Sequence, residues 1–265
     1  MIPNRRDGIA FTGFLRSLPA LAIALCCIAV PPANASVTFD GSFIANDSVN
    51  TNKASVDFNL TISGTITQLV VTLSNDATYT PDDQPDILTA VFFTLAGNPT
   101  LTRVSGLLAP GSGGVENGTN LTVAGGVIGG SWTYKSGLSG APGGANQGIS
   151  SAGFGLFGPG DVFPGAALPD DTVVPDGSGG GLTTIPDGGS SDGLNGRPYI
   201  QHAAVFTLGD VPASFALSDI SNVTFQYGTA FDEGSTPGTL IPEPSSIALA
   251  AVGLVLLGLL NRKRR

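Results

Sequence analysis

Cysteine is the first scarcity. Only Cys26 and Cys27 occur in the 265 residues, side by side inside an N-terminal apolar run. If that run is removed, the chain has no thiol. A disulfide framework, a thiolate metal site and thiol redox chemistry are then excluded. Histidine is scarcer still, with His202 alone. One imidazole cannot build a multi-histidine zinc site, and with no thiol left there is no Cys/His protease pair. A Ser-His-Asp arrangement would have to use His202, which sits on an apparent strand. No Gly-x-Ser-x-Gly elbow is present, and no glycine-rich turn leads into a helix with the following Lys of a phosphate-binding loop. Charge is also sparse, at 12% of residues against ~25% in ordinary soluble domains.

The charges that exist are unevenly placed. Arg5, Arg6 and Arg16 lie at the start and Arg262, Lys263, Arg264 and Arg265 at the end. Between residues 36 and 242 only four basic residues (Lys53, Arg103, Lys135 and Arg197) stand against 18 acidic ones, a net charge of −14. Such a surface repels nucleic acid and anionic lipid.

The N-terminus reads as an export signal. Arginines precede an apolar run from Leu18 to Val30. Pro31-Pro32 breaks it, and Ala33-Asn34-Ala35 offers small residues at the positions that signal peptidase reads. Cleavage is expected after Ala35, making residues 1–35 the signal peptide and Ser36 the first mature residue.

From Ser36 the pattern is β. Val56, Phe58, Leu60 and Ile62 alternate with polar neighbours, which places them on one face of a strand. Ile87 to Leu95 is a denser apolar run, as expected of a strand covered on both faces. Further strands are predicted at Leu101–Leu108, Leu121–Ile128, Trp132–Tyr134, Tyr199–Leu208, Ser214–Leu217 and Ile220–Tyr227. Strands about 8–12 residues apart with turn signals between them point to an all-β fold, an antiparallel β-sandwich of jelly-roll or Ig-like type. Residues 136–198 are rich in Gly and Pro, with Pro-Asp-Gly turns at 175–177 and 186–188. They read as a long insertion, and its Phe154, Leu156, Phe157, Val162 and Phe163 argue for partial order. The surface domain is therefore expected over 36–235, with a linker at 236–241.

Candidate ligand-binding residues are few. Asp82, Asp83 and Asp86 concentrate carboxylates in one turn, the oxygen-donor chemistry Ca²⁺ takes, with acidic turns at a strand end as the plainer reading. No other cofactor is expected. Trp132, Tyr134 and Tyr199 offer aromatic faces to sugar rings. Glu116 and Glu233 are the only glutamates of the body and would have to supply a glycosidase pair.

The C-terminus has the most specific order. Pro242-Glu243-Pro244 is followed by an apolar run from Ile247 to Leu260 and then by Arg262-Lys263-Arg264-Arg265. Fourteen apolar residues make about 21 Å of helix, read here as a single transmembrane helix, and the cations are a stop-transfer cluster held on the cytoplasmic side. This order resembles the PEP-CTERM sorting signal of exosortase-dependent surface proteins, over residues 242–265. The resemblance implies a Gram-negative host that makes exopolysaccharide. It also implies recognition of Pro242-Glu243-Pro244 by an exosortase, a transient inner-membrane tether, and delivery to the outer surface or biofilm matrix. The body, through Asp86–Phe93, Ser136–Gly144, Gly148–Gly160 and Phe225–Ala230, is similar to the XDD-type exosortase-dependent surface proteins, a likeness that implies no defined activity. Three functions follow as expectations: a non-enzymatic surface or matrix protein, a Ca²⁺- or carbohydrate-binding matrix module, and a secreted glycoside hydrolase. The expected partners are signal peptidase, the exosortase and exopolysaccharide, with no nucleic acid.

Overall fold

A computed structural model describes residues 36–44, 51–63, 66–81, 83–171, 179–184, 194 and 196–242. The predicted signal peptide, Asp82 and everything beyond Pro242 lie outside these residues. The strands are β1 (Ser36–Ile44), β2 (Thr51–Ser63), β3 (Ile66–Asn75), β4 (Leu88–Leu95), β5 (Thr102–Leu108), β6 (Gly113–Glu116), β7 (Thr119–Leu121), β8 (Thr133–Ser136), β9 (Gln147–Ser150), β10 (Leu182–Thr183), β11 (Tyr199–Gln201), β12 (Ala203–Gly209), β13 (Ile220–Tyr227), β14 (Ser235–Pro237) and β15 (Thr239–Ile241). The remaining regular elements among the described residues are single turns of 3-10 helix. The expected all-β class holds.

One sheet has six strands in the order β15-β1-β2-β3-β12-β5. The other runs β14-β13-β4-β10-β11-β6-β7, with β9 also on β4 and β8 on β9. Neighbours pair antiparallel throughout, apart from the short parallel pair of β10 and β11. The two sheets face each other across one core, as in a β-sandwich. Val56 and Phe58 of β2, and Leu69, Val71 and Leu73 of β3, are fully buried on one side. Val91 and Phe93 of β4 and Phe225 of β13 meet them from the other. Ring contacts join the layers: Phe58 to Phe93 at 5.1 Å and Trp132 to Phe206 at 4.8 Å. Edge-on and tilted aromatic pairs of this kind add about 0.5–1.5 kcal/mol each beyond area burial.

The dense run of β4 is explained by a third layer. Val91 and Phe93 face the main core. Ala90 and Phe92 face outward into a second apolar cluster with Ala141, Ala145 and Phe157, backed by Leu138, Phe154 and Leu156. That cover comes from the stretch expected to be an insertion. Its described part supplies β9, hydrogen-bonded along β4 from Ala90 to Phe93, and β10, which meets Leu88. Residues 136–171 are thus integral to the fold, because they supply most of the cover over the outer face of β4, joined there by Phe231. One of their side chains in turn satisfies the end of β4: the Asn146 carboxamide donates to the Leu95 carbonyl (3.1 Å) and accepts from its N–H (3.0 Å).

Three strand expectations are corrected. Leu121–Ile128 does not continue as a strand, because Gly125 and Gly126 take φ of 62° and 67° and fold the chain into a 3-10 turn. Ser214–Leu217 is turn and 3-10 helix, where the Asp219 carboxylate accepts from the Ala216 N–H (2.9 Å). Tyr199–Leu208 breaks at His202, whose φ of 75° turns the chain from β11 in one sheet to β12 in the other. His202 is held by its backbone, donating to Thr183 (2.9 Å) and accepting from Asn75 (2.8 Å). The only histidine is a corner residue.

Candidate functional site

The acidic turn does not converge. Asp83 is exposed, and its side chain caps the following 3-10 turn by accepting from the Gln84 N–H (2.7 Å). Asp86 points the other way. It is only 4% exposed and accepts from the Tyr79 hydroxyl (2.8 Å), which also meets Asn52. Asp82 lies outside the described residues. Among the described residues no group of three or more His, Cys, Asp or Glu side chains is gathered as metal ligands would be.

The aromatic faces expected to meet sugars are inside the protein. Trp132 and Tyr199 are fully buried and Tyr134 is 1% exposed. The Trp132 indole donates to the Gly180 carbonyl (2.9 Å) and the Tyr134 hydroxyl to Gln147 (2.6 Å). Burial raises the Tyr134 pKa well above the ordinary tyrosine value, against the opposing pull of a hydrogen bond at Leu101 and the nearby Arg103. The Tyr227 hydroxyl is raised too, by burial first and then by Tyr79, Asp76 and Asp86. These rings are core residues, because only the core covers their large apolar faces.

The glutamates do not converge either. Glu116 ends β6. Glu233 is held in the turn after β13, where its carboxylate accepts from the Ala230 N–H (2.9 Å) and from Thr229. A carboxylate holding backbone N–H groups is fixing a turn.

What the fold does bring together is the C-terminal junction. The Gln226 side-chain amide donates to Tyr227, Ala230 and Gly234 carbonyls (2.9, 3.0 and 2.9 Å) and closes the turn that leads into β14. β14 then pairs with β13 of one sheet, and β15, one residue later, pairs with β1 of the other. The Gly238 N–H donates to Val223 (2.8 Å) at the crossing. Residues 236–241, expected as a linker, are therefore a folded strap that seals the sandwich edge. Three-residue strands are too short to show alternation, and Thr239-Leu240-Ile241 carried only a weak β-propensity signal. β1 passes close beneath the strap: a methyl on Gly41 would lie 2.9 Å from both Phe225 and Thr236. Beside it is a polar groove of about 590 Å³, lined by Asp40, Ser42, Lys53, Asp76, Thr236 and Thr239 among others.

Beyond the strap the chain reaches Pro242, which is exposed. Glu243, Pro244 and the apolar and basic residues that follow lie outside the described residues. Among the described residues no helix is long and apolar enough to cross a membrane. Residues 240–265 match the family model of the PEP-CTERM protein-sorting motif. That motif defines an exported surface protein whose sorting depends on an exosortase, with a membrane-held intermediate. No curated protein and no solved structure matches the chain.

Proposed function

We propose that this protein is a structural, non-enzymatic component of the outer surface or exopolysaccharide matrix, of the XDD type of exosortase-dependent proteins. Signal peptidase cuts after Ala35. The apolar tail then holds the domain at the inner membrane of a Gram-negative cell until the exosortase acts at Pro242-Glu243-Pro244. The observation that carries the reading is the junction: the last described strand, β15, ends at Ile241, next in sequence to the sorting tripeptide. Asp83, Asp219 and Glu233 serve caps and turns and the lone histidine a corner, which supports a role without catalysis.

The test is intact mass and cell fractionation with and without the exosortase. With it, an extracellular product lacking both ends is expected; without it, a membrane-bound chain that keeps the tail. A full-length tail in both strains overturns the reading.

A second reading, a Ca²⁺- or carbohydrate-binding module of the same matrix, is favoured by the polar groove beside the strap. Its hydroxyls and carboxylates suit sugar hydroxyls or a hard cation. It predicts a rise of several degrees in the Tm of the released domain with millimolar CaCl₂ or with host exopolysaccharide. No shift with either removes it.

A further inference from the structure

The start of the first described strand and the end of the last one meet at one corner of the sandwich. β1 begins at Ser36 and β15 ends at Ile241, and the two strands pair antiparallel with Thr38 opposite Ile241 and Asp40 opposite Thr239. The entering end of one strand and the leaving end of the other therefore point the same way. Paired strands lie about 4.8 Å apart, so the two crossings are about one strand spacing from each other. A sandwich does not force this, since its termini can lie at opposite ends.

Three further features mark the same end of the six-stranded sheet. The β2–β3 hairpin closes there, because Asn59 sits opposite Ser36 and β2 runs on past it to Ser63. Ile62, Leu240 and Ile241 are apolar and exposed at this end, at 78%, 52% and 39%. The β2–β3 hairpin itself carries no charged residue from Phe58 to Asn75, although the body as a whole is strongly acidic. An acidic surface is repelled by anionic lipid; the hairpin, without charge of its own and carrying exposed Ile62, is the part of this end that is not, while Asp57 and Asp210 flank it. In sequence the apolar runs are separated from the described strands by short stretches. Val30 precedes Ser36 by six residues and Ile247 follows Pro242 by five, a reach of about 20 Å or less.

We infer that the β1–β15 pair is a clasp that gathers both processing points at one membrane-facing corner, and that it closes while the tail is still attached. The lipid surface is the partner of this end of the sheet. The inference rests on the sorting role proposed above. β15 is suited to such a clasp because its three residues are all exposed, so backbone pairing rather than core burial holds it. β14 is the firmer part of the strap, with Thr236 buried and its hydroxyl donating to the Ser42 carbonyl (3.3 Å).

The mature body has no cysteine, so engineered pairs report cleanly once Cys26 and Cys27 are replaced by alanine. Asp40→Cys with Thr239→Cys joins register partners and leaves residues 240–265 intact. Thr72→Cys with Val205→Cys joins partners of β3 and β12 and reports folding of the rest. In the full-length chain held in membranes of cells without the exosortase, both pairs should oxidise to the same extent. The clasp is overturned if the second pair forms while the first forms only after the tail is removed. In the same membranes, a fluorophore on Ile62→Cys should be quenched by lipid-borne quenchers several-fold more than one on Ile44→Cys, at the far end of β1. Equal or reversed quenching overturns the membrane-facing assignment. If the disulfide forms but mass analysis finds the tail in both strains, the sorting role has failed and the clasp stands.

Discussion

Gly129→Ala is expected to cost about 3 kcal/mol or more, enough to lower the Tm by roughly 10 °C. A Cβ at this position would sit 2.1 Å from the Pro164 carbonyl oxygen and 3.3 Å from the Phe163 side chain. The obstacle is backbone, so no rotamer change relieves it. The loop at 163–167 would have to move away, although it is fixed on both sides of the contact. The Phe163 N–H donates to Trp132 (2.9 Å), the Gly130 N–H donates to Ala166 (2.9 Å), and the Phe163 ring packs 5.3 Å from Phe206 in the main core. Pushing the loop out therefore withdraws an aromatic ring from between the sheets. Gly160→Ala is the matched control, since a Cβ there meets nothing within 4 Å. Thermal denaturation of both variants checks the pair. Equal melting temperatures would mean that the 129–164 approach is looser than described.

Phe92→Ala is expected to cost about 3–5 kcal/mol, the usual range for deleting a buried aromatic side chain. Phe92 is fully buried on the outer face of β4, with Phe154, Phe157 and Phe231 each 6.0 Å away between ring centroids. It is the anchor of the second cluster, so its loss should loosen the outer layer before the main core. Limited proteolysis should then cut between 137 and 171 at protease concentrations that leave the wild-type protein intact. Denaturant melts give the stability change. A variant that loses stability without new cleavage in that segment would show that the outer layer is held by β9 pairing alone.

These two sites show where sequence reading reaches and where it stops. Alternation of Val56, Phe58 and Leu60 identified β2 because its inner face meets a core and its outer face meets water. The dense apolar run at 87–95 identified a doubly covered strand, but not what covers its second side. The cover is a glycine-rich segment, and composition alone cannot separate glycines that loosen a chain from glycines that let two backbones approach. Asp82, Asp83 and Asp86 are neighbours in sequence, yet a single 3-10 turn sends Asp83 outward and Asp86 inward. Trp132, Tyr134 and Tyr199 have the same chemistry whether they line a binding face or fill a core, and only packing places them.

The sequence by itself determined how this protein is handled. The tail motif is local and linear, an ordered string of tripeptide, apolar run and cations, and such a signal needs no fold to be legible. The all-β class was also local, because period-two alternation is a property of short stretches. The tertiary structure alone decided the rest. Non-local pairing made residues 235–241 a strap rather than a linker, set β15 beside β1, and so brought Ser36 and Ile241 to one corner, because strand register joins residues some 200 positions apart that no local pattern connects.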